Sequence, residues 1–382
     1  MSGPKAYIAA RDDVKSTTGH VIVDGKPYFP LLKADGADHA SIREVVAQIL
    51  SIPVRNDWPI SVVSGGITNQ LFRVTLTTSN GNKSVPSSIL LRIFGAEGMI
   101  DRDVENSTFA ALSTQCLAPP YFGRFQNGRL EGWLDGMACL TPRDMALPAI
   151  SPKIAEQMAL LHAKFEIPDE LVDYHNPQQP SLWTQLQDWM EQAMRATDFG
   201  NDTERAETMV SSLLKNLDTE FEWLRNTVVP SDLPVAFCHN DVLGANVLYN
   251  ATTGVLRLVD FEYGGVNYKA FDIANHFNEF AGGSTENGVT NYDWFPNKED
   301  QCAFLKVYLE SSSQQQQTPS DEEIQKWYDQ VQAFILVNHL YWGTWAVNQA
   351  ATEGCADFDY LLFGHNRLSR YFHCKAEAYP SS

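Results

Sequence analysis

Two short polar segments of the chain carry the residue types that phosphoryl transfer from a nucleotide requires. In the first segment Asp241 follows an apolar run, and Asn246 comes five residues later. The second segment ends in Asp260 and Glu262, nineteen residues after Asp241. In phosphoryl transfer, one carboxylate orients or deprotonates the attacking hydroxyl, while a second carboxylate and an amide oxygen hold Mg²⁺ beside the phosphates. The two segments therefore predict a phosphotransferase site.

The spacing Asp-x4-Asn followed by Asp-Phe matches the pattern of protein kinases, with two differences. Here the loop is His-Asn-Asp instead of His-Arg-Asp, and Glu262 stands where those kinases have glycine. An isolated Asp-x4-Asn is most often a loop cap, so the interpretation depends on other parts of the chain. The differences favour small-molecule phosphotransferases of the kinase-like type over protein kinases.

Further parts of a nucleotide site precede these segments. Small residues in the stretch 64–69 would let backbone N–H groups approach phosphates, although a Gly-Gly pair alone is usually only a turn. Arg92 lies in the middle of an apolar run, 89–94, where a charge needs a partner or a ligand. Glu105 on the following helix is the predicted partner. The alternative is an edge-strand arginine that faces water.

The elements that must position these residues change character near residue 140. Before it the pattern predicts a small β-rich lobe, with helices at Asp38–Leu50 and Asp101–Ser113 and strands at Leu71–Leu76, Ile89–Phe94, Pro119–Phe125 and Leu130–Leu134. After it the pattern predicts long helices at Ala149–Phe165, Leu182–Thr197, Thr203–Asn226 and Asp321–Asn348, and short strands at Val235–Cys238 and Leu256–Val259. We expect a two-lobed α+β fold with a cleft between the lobes.

Composition restricts the partners. The 382 residues carry a formal charge of −19, which argues against nucleic acids and anionic membranes as general partners. No apolar leader begins the sequence and no stretch is long and apolar enough to span a bilayer, so we expect a cytoplasmic protein. The six cysteines are scattered without a C-x-x-C pair, as in reduced cytosolic proteins.

Three longer strings give a closer resemblance. From about residue 62 to the C-terminus the chain resembles the choline/ethanolamine kinase family, in the strings at 237–250, 258–283 and 337–350. The resemblance implies the two-lobed fold of protein kinases and aminoglycoside phosphotransferases. It also implies domains at 61–136, a β-rich ATP-binding lobe, and 137–382, a helical lobe with the catalytic loop and the amino-alcohol pocket. Residues 1–60 would be an extension that packs on the small lobe.

The family pattern assigns roles residue by residue. It implies Asp241 as the base, with Asn246 as its catalytic partner, and a Mg²⁺ or Mn²⁺ site at Asp260, Asn246 and Glu262. The implied ATP-binding residues are Ser64, Gly65, Gly66, Asn69, Arg92, Glu105, Glu131 and Leu243. Arg92 would contact the phosphates, and the connection that begins at Glu131 would line the adenine.

The substrate side of the implied site suits a cation. An ammonium group binds carboxylates and aromatic faces. Glu279 supplies the carboxylate, and the implied pocket includes Trp342, Trp345, Phe358 and Phe363. From helical spacing alone, the two tryptophans are more often core residues. We interpret Asp272 and His239 as braces of the catalytic loop.

Several features are more similar to the ethanolamine than to the choline branch, among them Leu243 in place of a glutamine and the segment Asn278–Gly282. The leading hypothesis is an ATP-dependent ethanolamine kinase, the first step of the phosphatidylethanolamine branch of phospholipid synthesis. The alternatives are a choline or dual kinase, an aminoglycoside-type phosphotransferase, and a pseudokinase that only binds. The expected partners are ATP and ethanolamine or choline, and a homodimer stays open.

Overall fold

The computed structural model describes residues 19–63, 69–76, 85–95, 100–312 and 318–380. The chain forms two compact units. The first comprises the described residues up to Met137 together with Ile167–Tyr174, and the second comprises Ala138–Glu166 and the described residues from His175 onward. Ser64, Gly65 and Gly66 lie outside the described residues, as do most of the stretch 77–88 and residues 313–317.

A seven-stranded sheet organises the first unit. Its spatial order is β1-β2-β6-β7-β5-β4-β3, and within the described part of the chain β2–β6 is its only parallel pair. The strands are β1 Val21–Val23, β2 Lys26–Phe29, β3 Ile60–Val63, β4 Asn69–Thr75, β5 Ser88–Phe94, β6 Tyr121–Phe125 and β7 Gly128–Gly132. The four strands predicted in this part are confirmed. The hairpin β1–β2 was not predicted, because its strands are only three and four residues long.

Among the described residues of the first unit there are two α-helices, and both were predicted. Helix α1, His39–Leu50, starts at Asp38, whose side chain accepts from the backbone N–H of Ala40. Its apolar face buries Ile42, Val45, Val46 and Ile49 in one core with the sheet. Helix α2, Arg102–Thr114, starts at Asp101, whose carboxylate accepts from two backbone N–H groups of the first turn. The caps therefore fix where both helices begin.

Helices make up most of the second unit. They are α3 Ser151–Lys164, α4 Leu182–Arg195, α5 Thr203–Met209, α6 Leu217–Trp223, α7 Lys269–Glu279, α8 Lys298–Ser312, α9 Asp321–Glu353 and α10 Tyr360–Ala378. A three-stranded sheet has the order β11-β10-β8, and β12 pairs with β9. These strands are β8 Ala138–Cys139, β9 Val235–Cys238, β10 Val247–Tyr249, β11 Leu256–Leu258 and β12 Gly265–Tyr268.

The prediction of one helix over Thr203–Asn226 is wrong. Helix α5 ends at Met209, and Asn216 adopts a left-handed backbone conformation (φ 62°) immediately before α6. A left-handed residue cannot continue a right-handed helix, so the segment folds as two short pieces. The prediction missed α8 and α10, whereas α9 is confirmed and extends five residues further, to Glu353. Within the described ranges, no helix is both long and apolar enough to cross a membrane.

Candidate active site

Strand β9 leads into the loop that is predicted to be catalytic, and a buried carboxylate fixes the start of that loop. The backbone N–H groups of His239 and Asn240 donate to the two oxygens of Asp272 at 3.0 and 2.7 Å. Asn240 is left-handed (φ 65°), and its amide donates to the carbonyl of Tyr263 at 2.9 Å. Nε2 of His239 bonds to the carbonyl of Val259 at 2.9 Å. Asp272 and His239 are therefore braces of the loop, as predicted.

His162 on α3 extends this brace. With its proton on Nε2 it donates to Asp272 at 2.9 Å, and its Nδ1 accepts from the hydroxyl of Tyr308 at 2.8 Å. Burial by itself would raise the pKa of Asp272. The hydrogen bond from His162 and the donors of the loop outweigh burial and hold that pKa below its ordinary value. The ionised carboxylate thus connects α3, α7 and α8 to the catalytic loop.

Replacing Asp272 with asparagine is expected to cost about 3 kcal/mol of unfolding free energy at pH 7, since it removes the charged partner of buried donors. The folded-state pKa of Asp272 lies below 3.8, so its contribution is complete above that pH and is lost as the pH falls through the folded value. The difference in unfolding free energy between wild type and Asp272→Asn, measured by urea titration, should therefore narrow as the pH falls below 3.8. Asp188→Asn, at an exposed site on α4, is the control. A difference that does not change with pH would contradict this role.

Asn246 holds the predicted base. Its side-chain N–H₂ donates to both the backbone carbonyl and Oδ2 of Asp241 at 2.9 Å. Its backbone carbonyl accepts from the N–H of Val259, next to Asp260. Asp260 is left-handed (φ 64°) and begins the turn that also carries Glu262. The structure therefore brings Asp241 and Asn246 into direct contact and ties the two polar segments together through the backbone.

Negative charge accumulates around Asp241. Burial, and then the charges of Glu279, Asp260 and Glu262, raise the pKa of Asp241 well above its ordinary value. Among the described residues, these acids do not place three ligand atoms within 4.8 Å of one another. Mg²⁺ usually takes one or two carboxylates and completes its shell with phosphates and water. The carboxylates of Asp260 and Glu262 and the amide oxygen of Asn246 are oxygen donors of the kind that such a cation takes.

Aromatic side chains line the next part of the site. Trp342 and Trp345 on α9 contact each other with ring centroids 5.3 Å apart, and Tyr263 packs edge-on against Trp342 at 5.1 Å. Phe363 on α10 lies 6.5 Å from Trp345 and 6.0 Å from Phe358. Nε1 of Trp342 donates to Asn275 at 2.7 Å, which fixes the ring. The structure therefore brings all four predicted aromatic residues into one cluster.

Glu279 ends α7 and is 4% exposed. One carboxylate oxygen accepts from Arg367 at 3.1 Å, and the other accepts from the hydroxyl of Ser284 at 3.1 Å. Arg367, which is 1% exposed, also donates to Asn338 on α9. Burial raises the pKa of Glu279, and Arg367 opposes that rise. The predicted partner of a cationic substrate is thus already ion-paired.

In the first unit, the charged residues predicted to bind ATP belong to a buried ionic network. Arg92 donates to Glu131 at 2.8 Å. Arg129 donates to the same oxygen at 2.7 Å and to Glu105 at 2.6 Å, and Arg102 donates to the other oxygen of Glu105 at 2.7 Å. Burial alone would raise the pKa of Glu131, but Arg92 and Arg129 outweigh it and lower that pKa. Three arginines thus share two carboxylates.

This network differs from the predicted pairing of Arg92 with Glu105. Arg92 donates to Glu131 across the β5–β7 pair, while Glu105 accepts from Arg102 and Arg129. Arg92 still lowers the pKa of Glu105 through its charge. Glu131 lies within β7 and is 1% exposed, so its carboxylate belongs to the network. Asn69 joins the same region, since its side-chain oxygen accepts from Arg102 at 3.3 Å.

Sequence reasoning missed four residues that contact the predicted site residues or their braces. They are His162, Tyr263, Arg129 and Arg367. Arg367 follows Phe363 and precedes Tyr371 at intervals of four, so the helical spacing places it on a buried face. A lone arginine on such a face is a signal of a buried partner. Tyr263 carried no comparable signal, because it follows Glu262 in a turn.

Comparisons with known proteins show the family to which the chain is similar. A family model described as choline/ethanolamine kinase matches residues 60–372. "Probable ethanolamine kinase A" of Dictyostelium discoideum is 32% identical over 83% of this chain and 85% of its own. "Ethanolamine kinase 1" of Homo sapiens is 32% identical over 92% of this chain and 76% of its own. "Probable choline kinase 2" of Arabidopsis thaliana is 30% identical over 84% of this chain and 86% of its own.

Solved structures show the fold. A choline kinase from Cryptosporidium parvum has a TM-score of 0.73 at 24% identity and covers 89% of this chain and 96% of its own. A Plasmodium vivax ethanolamine kinase has a TM-score of 0.72 at 23% identity, with coverage of 87% and 89%. A macrolide 2′-phosphotransferase has a TM-score of 0.52 at 15% identity, with coverage of 88% and 98%. The predicted α+β fold of this kinase-like type is confirmed.

Proposed function

Because the chain belongs to the choline/ethanolamine kinase family, we propose that it transfers the γ-phosphoryl group of ATP to the hydroxyl of ethanolamine. The observation that carries the proposal is the contact of Asp241 with Asn246, in a site that also holds Glu279 and four aromatic side chains. A carboxylate near a second buried acid and an aromatic cluster suits a substrate with a hydroxyl at one end and an ammonium at the other. We place the reaction in the cytoplasm, at the first step of the phosphatidylethanolamine branch.

In this proposal Asp241 accepts the proton of the attacking hydroxyl. The amide N–H₂ of Asn246 holds Oδ2 of Asp241, which fixes the orientation of the carboxylate. Asp272 and His239 fix the backbone on which Asp241 lies. Positioning of this kind supplies much of the rate enhancement in phosphoryl transfer, since little covalent chemistry falls to the protein.

Asp260, Asn246 and Glu262 are the residues that would hold Mg²⁺ or Mn²⁺. The bound cation would neutralise charge on the phosphates. The amide N–H₂ of Asn246 is already bonded to Asp241, so its side-chain oxygen is the atom that can serve as a ligand. The charges of Asp260 and Glu262 both raise the pKa of Asp241, so each of the two acids lies near enough to Asp241 to affect it.

The nucleotide-binding part of the proposal rests on the first unit and on Leu243. Arg92 would contact phosphate, and Glu131 holds its guanidinium. Asn69, Glu105 and Glu131 would shape this region through their contacts with the arginines. A bidentate arginine matches phosphate geometry better than a lysine would. Ser64, Gly65 and Gly66 remain proposed phosphate-binding residues that lie outside the described ranges.

A choline or dual kinase is the second candidate. The cluster of Trp342, Trp345, Phe358 and Phe363 favours it, since aromatic faces bind quaternary ammonium groups well. Seven relatives at 32–33% identity carry the name ethanolamine kinase, with or without "probable". A relative named probable choline kinase is nearly as similar, at 30% identity. The names of the relatives therefore support ethanolamine first and choline second.

An ADP-release assay with Mg²⁺ distinguishes these functions. We expect kcat/KM for ethanolamine to exceed that for choline by about tenfold or more, the loss that follows when one hydrogen bond to a charged group is not made. An aminoglycoside serves as the third substrate. Equal values for the two alcohols would support a dual kinase, and a higher value for choline would replace the first proposal with the second. ADP release with the aminoglycoside alone would contradict both.

A further inference from the structure

A tight turn after α7 places Ser284 against the carboxylate of Glu279. The hydroxyl of Ser284 donates to Oε2 of Glu279 at 3.1 Å, while Arg367 occupies Oε1 at 3.1 Å. Ser284 is half-buried and Glu279 is 4% exposed. The two oxygens of the carboxylate thus have different neighbours. One is bonded to a fixed cation, and the other is bonded to a hydroxyl that can accept as well as donate.

The backbone holds Ser284 in this place. Gly282 and Gly283 have φ values of 71° and 108°, which are strained for a residue with a side chain. A Cβ on Gly283 would lie 3.0 Å from the ring of Phe363. The N–H of Gly283 donates to Glu286 at 2.7 Å, and its carbonyl accepts from Gly288 at 2.8 Å. Hydrogen bonds within the turn therefore fix its conformation, and the turn packs against Phe363 of α10.

The chemistry of the two candidate substrates differs at this point. A primary ammonium has three N–H donors, each of which needs an acceptor when it leaves water. A quaternary ammonium has none and binds through its diffuse charge and aromatic faces. Arg367 offsets the charge of Glu279, which weakens the purely electrostatic attraction for any cation. Acceptors placed in fixed positions, rather than net charge, then distinguish the two groups.

On the basis of the proposed function, we propose that Ser284 is a specificity-determining residue of this site. Its hydroxyl, oriented by the bond to Glu279, accepts one N–H of a primary ammonium, and Oε2 of Glu279 accepts a second. A quaternary ammonium makes neither bond. Ser284 thereby favours ethanolamine over choline, whereas the aromatic cluster serves both.

The test is Ser284→Ala, assayed on ethanolamine, its N-methyl and N,N-dimethyl derivatives and choline, whose ammonium groups carry three, two, one and no N–H. We expect kcat/KM to fall about tenfold for ethanolamine and less than about twofold for choline, with the loss decreasing along the series. Ser284→Thr, which keeps the hydroxyl, should restore most of the preference. Thr285→Ala is the matched control, because Thr285 is exposed and bonds only Glu286 among the contacts described.

The outcomes separate this inference from the proposed function. If wild type phosphorylates none of the four alcohols, the proposed function fails, and with it the premise. If wild type acts on the series but Ser284→Ala lowers all four values by one factor, or leaves them unchanged, the role of Ser284 is overturned. Melting temperatures of the variants exclude a loss that arises from unfolding. A uniform loss with an unchanged melting temperature would assign Ser284 to the shape of the turn.

Discussion

Replacing Asp241 with asparagine should lower kcat by about 10³-fold, within the range that a positioned base contributes. Asparagine keeps the size of the side chain, and its carbonyl can still accept from Asn246, so the loop should keep its conformation. What asparagine lacks is the capacity to take the proton of the attacking hydroxyl. The measurement is single-turnover and steady-state ADP release with saturating Mg·ATP and ethanolamine.

The same variant should not lose stability. Asp241 lies in the field of Glu279, Asp260 and Glu262, and removal of one of several like charges relieves repulsion in the folded protein. We therefore expect the nucleotide-free variant to be at least as stable as wild type in urea, the usual relation between a strained active site and stability. Asp232→Asn, at an exposed position of the same unit, is the control for an unspecific change of charge. Activity within about tenfold of wild type would remove Asp241 from the role of base.

The polar segments were predictable because their chemistry is local. Asp241 and Asn246 contact each other across one short turn, so their spacing in the chain is also their spacing in the loop. The caps Asp38 and Asp101 likewise act within one helical turn, and the helices that they begin were predicted to within one residue at that end. Local hydrogen bonds of this kind depend on a few neighbouring residues, which a sequence displays directly.

The partners of buried charges were not predictable in the same way. The sequence indicates that Arg92 needs a partner, but the choice between Glu105 and Glu131 depends on the register of β5 with β7, where Leu90 pairs with Glu131. A register is set by long-range pairing, and adjacent registers expose opposite faces. The contact of Glu279 with Arg367 joins residues 88 positions apart, on two different helices. The periodicity within either helix does not predict which residue of the other helix forms the ion pair.

Arg129→Met is expected to have the largest effect on stability, a loss of about 3–5 kcal/mol. Arg129 is fully buried and donates to Glu131 at 2.7 Å and to Glu105 at 2.6 Å. Methionine fills part of the volume but leaves two buried carboxylates with only Arg92 and Arg102 as hydrogen-bonded cations among the contacts described. The measurement is the free energy of unfolding in urea.

Arg124→Met is the matched control for this prediction. The ion-pair partner of Arg124, Asp103, is 36% exposed at the side chain, so we expect Arg124→Met to lose only about 1 kcal/mol of unfolding free energy.

Arg129→Lys separates charge from geometry at the same position. Lysine keeps the positive charge but presents one ammonium, which cannot donate along the two divergent directions that Nε and the guanidinium end of Arg129 serve. We therefore expect it to recover less than half of the stability lost in Arg129→Met. Because Glu131 also holds Arg92, both variants should raise KM for ATP more than KM for ethanolamine. If Arg129→Lys were as stable as wild type, net charge alone would account for the network; if KM for ATP did not change, Arg92 would not depend on Glu131 for its position.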